Sequence, residues 1–131
     1  MELIVGQVSN DPETKSEIHL KLSEKYIRDG EELLTKKDYV QASEKFWGAA
    51  SQVIKSVAAK RGKEIRSHGE LHKYAVKLSE EAKDLELDRL WRSAVTLHQN
   101  FYEAWFPPKM VGKAVEDVKK FIEKVKNTFC K

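Results

Sequence analysis

The apolar residues of this chain recur at intervals of three and four positions, which is the spacing of amphipathic helices. Only residues 3–8 show a weak every-second-residue alternation of the kind that favours a strand. The helical pattern is interrupted several times, and the segments between the interruptions have the lengths of ordinary helices. The sequence therefore predicts an all-α protein, a bundle of about five antiparallel helices.

Capping signals set the ends of the first two predicted helices. Asp11 is suited to cap the first helix and Pro12 to occupy its first turn, and the apolar repeat continues to about Lys36. The second helix begins at Tyr39 and ends at Arg61-Gly62, where glycine can adopt the left-handed cap conformation. Its apolar positions form two adjoining stripes, so we expect it to be the central helix of the bundle.

Three further helices are predicted in the second half of the chain. Residues 67–70 have the form of a capping box that begins the third helix, which carries inward-facing apolar residues as far as Ala82. The fourth begins near Leu85 and ends before Pro107 and Pro108, since neither proline can donate a backbone hydrogen bond. The fifth occupies the segment up to Phe129.

Length and composition fit one globular domain. A chain of 131 residues with 40% hydrophobic and 34% charged residues can bury a single core without disulfides. We expect residues 1–131 to form one helical domain, with residues 1–10 as a loose N-terminal segment. The chain has neither an apolar run of about 20 residues nor a basic leader, so it is predicted to be cytoplasmic and to have no membrane partner.

Charge adds two expectations. The 24 Lys and Arg exceed the 21 Asp and Glu by only three, and the abundance of Lys and Glu over Asn, Gln, Met and Cys is typical of hyperthermophiles. Seven lysines stand against three carboxylates from Lys109 to Lys131. This segment is suited either to contact a phosphate backbone or to form the solvated face of an amphipathic helix.

A metal site is the first candidate chemistry. His68 and His72 are four residues apart on the predicted third helix, so both rings can face one divalent cation. Glu70 points away from them at this spacing, and no third ligand is evident. The single cysteine, Cys130, excludes an intrachain disulfide and a site made of several thiolates. A solvated helix start is the alternative, and we predict no metal and no cofactor.

The second candidate is Arg92 with His98, together with Asn100 and Tyr102 as binding residues. Imidazole transfers protons near neutral pH, and arginine stabilises a phosphate or the anionic transition state of RNA cleavage. Six positions place the two side chains about 120° apart around a straight helix, so their cooperation requires a bend or a second subunit. In the alternative, His98 lies in the core and Arg92 in solvent. The sequence shows no Gly-rich phosphate loop and no aromatic-basic platform.

Residues 97–105, Leu-His-Gln-Asn-Phe-Tyr-Glu-Ala-Trp, resemble a block of the archaeal PaREP family of small helical proteins. The spacing of Tyr39, Ala42, Trp47 and Ala50 is also similar to that family, and the resemblance covers roughly residues 15–128. The family is similar in fold to the HEPN superfamily of helical bundles, which are commonly dimeric. That superfamily includes ribonuclease toxins and partners of minimal nucleotidyltransferases.

The resemblance implies a HEPN-like bundle and a set of roles. HEPN ribonucleases carry an arginine followed a few residues later by histidine, and Arg92 and His98 take those places, with Ser93 as the polar residue after the arginine. Arg61 and His68 also satisfy the spacing but flank a predicted loop. The resemblance further implies a homodimer, RNA or a nucleotide as ligand, and an antitoxin or a nucleotidyltransferase as partner protein.

Three functional hypotheses follow. In the first, a HEPN-like protein of a toxin–antitoxin or stress system binds or cleaves RNA or nucleotides, with His98 as acid and base and Arg92 as the phosphate-stabilising group across a dimer. In the second, the chain is a non-catalytic helical module for protein interaction, which predicts a buried, singly hydrogen-bonded His98 and a solvent-exposed Arg92. The third, a metal-dependent enzyme using His68 and His72, needs an acidic ligand from another helix.

Overall fold

A computed structural model describes residues 11–130 and shows an all-α bundle. No strand occurs in this range, and the five helices are α1 (Pro12–Thr35), α2 (Tyr39–Lys60), α3 (His68–Ala82), α4 (Leu85–Glu103) and α5 (Pro108–Phe129). The predicted fold class and helix order are confirmed. The weak strand at residues 3–8 and the loose segment predicted for residues 1–10 lie outside the described residues.

The helix starts follow the capping chemistry of the sequence. The Asp11 carboxylate accepts a hydrogen bond from the backbone N–H of Thr14 at the start of α1, as predicted. Ser67 caps α3 by accepting from the backbone N–H of Glu70. The second half of the predicted capping box differs, because the Glu70 carboxylate accepts from the backbone N–H of Arg66, one residue before the cap. After α2, Gly62 adopts a φ of 75°, the left-handed conformation expected there.

Helix α2 is the centre of the bundle, as its two apolar stripes predicted. It packs against all four other helices, and thirteen of its residues are buried. Its most extensive interface is with α1, where Ser23 donates a hydrogen bond to the Ala49 carbonyl and the hydroxyl groups of Ser16 and Ser56 are hydrogen-bonded to each other. The residue number falls along α1 while it rises along α2, so these two helices are antiparallel.

The C-terminal lysines form ion pairs that join α5 to its neighbours. Lys119 pairs with Glu31, Lys126 with Glu24, and Lys120 and Lys124 with Glu86. Hydrogen bonds from Lys124 and Lys120 lower the pKa of Glu86 to about 2. These pairs agree with the solvated-face interpretation of this segment.

Within residues 11–130, every helix lacks the continuous apolar length that a membrane crossing requires.

Gly30 of α1 occupies the closest approach of α1 and α2. A Cβ atom on Gly30 would lie 2.6 Å from Cε2 of Phe46, whose ring is completely buried. We expect Gly30→Ala to lower the free energy of unfolding by about 1 kcal/mol, because overpacking costs about 1–3 kcal/mol and the gain in helix propensity offsets up to about 1 kcal/mol. Urea unfolding of the purified variant measures this change.

Gly112→Ala is the matched control for Gly30→Ala. Gly112 lies inside α5, and a Cβ atom there would meet nothing within 4 Å. Only the propensity gain remains, so this variant should be more stable than the native protein by about 0.5–1 kcal/mol. Stabilisation by both substitutions would contradict the close packing at Gly30.

Candidate functional site

Three histidines converge around Trp47, near the middle of α2. The ring of His98 from α4 stacks on Trp47 with centroids 4.6 Å apart and planes 21° apart. The ring of His68, at the first turn of α3, is nearly perpendicular to that of His98, with the ring centroids 5.3 Å apart. His72, one turn further along α3, lies 6.1 Å from the Trp47 centroid. The bundle thus joins parts of three helices into one cluster, which we call the histidine cluster (Trp47, His68, His72 and His98).

His98 is held by a carboxylate. Its Nδ1 atom lies 2.9 Å from Oε1 of Glu44 on α2, and 19% of its side chain is exposed. Because a carboxylate can only accept a hydrogen bond, we assign the proton to Nδ1, which leaves Nε2 as a proton acceptor. A carboxylate that orients an imidazole in this way is a common arrangement for a general base.

His72 has a structural contact instead. The indole N–H of Trp91 donates to Nδ1 of His72 over 3.1 Å, so this nitrogen carries no proton. Burial lowers the pKa of His72, and the neighbouring His68 and His98 rings lower it further. The surroundings of His72 thus disfavour its charged form, and its contact with Trp91 gives it a place in the packing of α3 against α4.

A groove of about 370 Å³ opens beside the cluster, within the size range of small-ligand sites. Its walls combine aromatic rings, lysines, amides and an imidazole, and we call it the aromatic groove. Its lining residues include Tyr26, Glu44, Lys45, Trp47, Lys55, His68 and Phe101. The Lys45 ammonium lies 5.1 Å from the centroid of the Tyr26 ring. His98 does not line the groove itself but contacts three of the residues that do, namely Glu44, Trp47 and His68.

The structure separates Arg92 from His98 within one chain. The Arg92 side chain is 71% exposed and pairs with Asp88 over 3.5 Å on the same helix. The described contacts of His98 are with Glu44, Trp47, His68 and Tyr102, and none involves Arg92. This is the separation that the six-residue spacing predicted. Tyr102 lies at the surface with its ring 5.2 Å from the His98 centroid.

Asn100 lies inside the protein, where its amide bonds two other segments. Its Nδ2 donates to Oγ of Ser43 on α2 over 3.1 Å, and its Oδ1 accepts from the backbone N–H of Phe106 over 2.9 Å. The residue is only 1% exposed. These bonds fix the end of α4 against α2 and thereby set the position of His98, one half-turn earlier.

Sequence reasoning missed Glu44 and Lys55 as members of the site. Both belong to a polar stripe on α2 at helical spacing, formed by Gln41, Glu44, Gly48, Gln52 and Lys55. A polar stripe on a helix that is otherwise apolar and central marks a face left open to solvent. This signal was available in the sequence. The aromatic residues of the groove come from three helices, Tyr26 from α1, Trp47 from α2 and Phe101 from α4, so no local platform was visible.

Other chemistries find little support in the described part of the chain. No group of three His, Cys, Asp or Glu residues there is arranged to hold a metal ion. His68 and His72 therefore lack the third ligand that the metal hypothesis needed. Burial raises the pKa of the Cys130 thiol, which disfavours the nucleophilic thiolate.

Two comparisons place the chain among known proteins. The model of the archaeal PaREP1/PaREP8 family matches residues 18–122, which is more than half of the chain. A crystal structure of a protein from Sulfolobus solfataricus is similar with a TM-score of 0.67 and 32% sequence identity, over 81% of this chain and 94% of that one. No curated protein sequence is significantly similar. The matched range includes all residues of the histidine cluster and the aromatic groove.

Proposed function

The chain belongs to the archaeal PaREP1/PaREP8 family, as its sequence predicted, and we propose that it is a HEPN-like protein that binds RNA or a nucleotide in the aromatic groove. The observation that carries this proposal is the combination of aromatic rings, two lysines and the His68 imidazole around one opening, with the carboxylate-held His98 in contact with the groove residues Glu44, Trp47 and His68. Aromatic faces stack on bases, and lysines attract phosphates. The five-helix, all-α bundle fits the HEPN-like fold.

His98 is the proton-transfer group in this proposal. Its Nε2 takes the proton of a ribose 2′-hydroxyl, and the freed oxygen attacks the adjacent phosphorus to form a 2′,3′-cyclic phosphate. The bond from phosphorus to the 5′-oxygen breaks, and that oxygen needs a proton to leave. His68 donates this proton in the proposed reaction; its exposure and the 5.3 Å between its ring centroid and that of His98 support this role.

Arg92 joins such a site only from a second copy of the chain, because it faces solvent on the protomer that carries it. The proposal therefore includes a homodimer in which Arg92 of one copy stabilises the phosphate bound near His98 of the other. The exposed Tyr102, Trp105 and Met110 supply apolar surface near the end of α4 for a second copy. A role in a toxin–antitoxin or stress system, with an antitoxin or nucleotidyltransferase as partner, belongs to the same proposal.

The second candidate is a non-catalytic module for protein interaction. It is favoured by one specific observation: His98 is mostly buried with a single hydrogen bond while Arg92 lies in solvent. In this case the histidine cluster serves packing, and the exposed rings of Tyr102 and Trp105 contact a partner protein.

A heterodimer tests the shared site directly. Arg92→Ala and His98→Ala chains carrying different tags are co-expressed, purified on both tags, and incubated with a pool of single-stranded RNA. Each homodimer should be inactive, whereas the heterodimer combines one intact His98 with one intact Arg92 and should recover roughly half of the native cleavage rate. This complementation is the expected result.

Each alternative result has its own meaning. An inactive heterodimer beside an active native protein would remove Arg92 from a shared site. A native protein that is folded yet neither binds nor cleaves RNA would reject the proposed function and favour the interaction module. Light scattering on the same samples establishes the oligomeric state.

A further inference from the structure

A second and larger opening lies at the other end of α2. This cavity of about 410 Å³ sits between the start of α1 and the loop after α2, and we call it the loop cavity; Lys15, Lys55, Lys63 and Ile65 are among its lining residues. A smaller cavity of about 240 Å³, lined in part by Lys55, Ile65, Arg66 and His68, lies between the loop cavity and the aromatic groove. Lys55 lines all three openings.

The three openings follow one another along α2 with shared walls: Ile65 lines both the loop cavity and the smaller cavity, and His68 lines both the smaller cavity and the aromatic groove. We describe them together as one depression along α2. It extends from Trp47 in the aromatic groove to Ala59 in the loop cavity, about 18 Å at 1.5 Å per helical residue. Such a length accommodates several nucleotides of an extended strand. We call this depression, with Lys15, Lys55, Lys63 and Arg66, the basic track.

Three of the four cations of the basic track have no ion-pair partner among residues 11–130. Lys15, Lys55 and Lys63 form no ion pair with any residue in the range 11–130, unlike Lys119, Lys120, Lys124 and Lys126 of α5. The carboxylates in the walls already have partners, since Glu44 bonds to His98 and Glu64 pairs with Arg66. Concave sites lined by one sign of charge concentrate ligands of the opposite sign.

We propose that the basic track binds the sugar–phosphate backbone of a single-stranded RNA, one base of which stacks in the aromatic groove. This inference rests on the proposed function and extends it from a single nucleotide site to a strand of defined path. Lys55 contacts the phosphate next to the groove, and Lys15 and Lys63 contact phosphates further along. A single strand fits because bases held in a duplex are not free to stack on protein side chains.

The test compares two double variants with equal loss of charge. The first, Lys15→Gln with Lys63→Gln, removes two lysines of the track that line the loop cavity and not the aromatic groove beside His98. Lys109→Gln with Lys113→Gln removes two exposed lysines of α5 that line none of the three openings and form no ion pair within the described range. Binding of a dinucleotide and of a ten-nucleotide RNA is measured by fluorescence anisotropy over a series of salt concentrations.

The native protein should bind the ten-nucleotide RNA roughly tenfold or more tightly than the dinucleotide. The Lys15/Lys63 variant should lose most of that difference. Its slope of log K against log salt should become shallower by about 1.4, the value for two phosphate contacts on a single strand. Dinucleotide binding and the rate of dinucleotide cleavage should be unchanged, and the Lys109/Lys113 variant should behave like the native protein.

Equal effects of the two double variants on the ten-nucleotide RNA would overturn the track, as would equal affinity of the native protein for both RNAs. The proposed function survives either result, because dinucleotide binding and His98-dependent cleavage are measured separately. Tighter binding of a duplex than of the single strand would also reject the track. Failure to bind either RNA would reject the proposed function and the track together.

Discussion

Replacing His98 by alanine should lower the rate of RNA cleavage by about 10²- to 10⁴-fold, the usual contribution of a positioned general acid or base. The structure supplies the reason. Glu44 binds Nδ1 of His98, which leaves Nε2 free to accept a proton, and the stack on Trp47 fixes the plane of the ring. Single-turnover cleavage of a labelled RNA by native and variant protein measures the loss.

Packing must be separated from proton transfer in this experiment, because His98 also fills space against Trp47. His98→Gln preserves much of the side-chain volume but cannot exchange a proton near neutral pH, so it should lose as much activity as His98→Ala. Gln99→Ala, at the exposed neighbouring position on α4, is the matched control and should retain the native rate. Circular dichroism establishes that all three variants are folded.

Two outcomes would count against the assignment. Cleavage by His98→Gln at more than a tenth of the native rate would remove His98 as the proton-transfer group and leave it a packing role. Equal loss in Gln99→Ala would show that the end of α4 as a whole is sensitive to substitution. Either result would favour the second candidate function, the non-catalytic interaction module whose partner surface includes Tyr102 and Trp105.

The fold was predictable because its signals are local. Asp11, Ser67 and Gly62 act on the backbone within a few residues, and the structure places helix ends where these residues indicated. The central position of α2 also followed from the sequence, since a helix with two apolar stripes needs neighbours on more than one side. Gly30 was different: the close approach of α1 to α2 at this position depends on tertiary packing, and only the structure shows that the Phe46 ring occupies the space a side chain on Gly30 would need.

The site was only partly predictable because its parts are distant in the chain. The helical geometry of α4 predicted that Arg92 and His98 point in different directions, and they do. The pairing of His98 with Glu44 depends on how α2 and α4 pack, which no spacing within one helix reveals. The same is true of the meeting of Lys15 and Lys63 beside α2. Tertiary packing, not local pattern, creates these combinations.

Phe46→Ala should lower the free energy of unfolding by about 3–5 kcal/mol, the cost of removing a large buried aromatic side chain. Phe46 is 0% exposed and packs on the bare backbone of Gly30, so its loss leaves a cavity between α1 and α2. Those two helices form the longest contact in the bundle and cannot close the gap without sliding past their hydrogen-bonded serines. The expected fall in the thermal midpoint is roughly 10 to 20 °C.

Leu85→Ala is the control for Phe46→Ala, because Leu85 is an apolar residue with 91% of its surface exposed. Its removal should change stability by no more than about 0.5 kcal/mol. If both variants unfolded at the native midpoint, Phe46 would not be a core residue.

A double variant, Gly30→Ala with Phe46→Ala, tests whether the two residues share one space. The new methyl group enters the cavity left by the ring, so the double variant should be more stable than Phe46→Ala alone. The methyl group of Gly30→Ala thus destabilises the native protein but stabilises the Phe46→Ala variant. The sign of its effect on the free energy of unfolding depends on whether the Phe46 ring already fills the space.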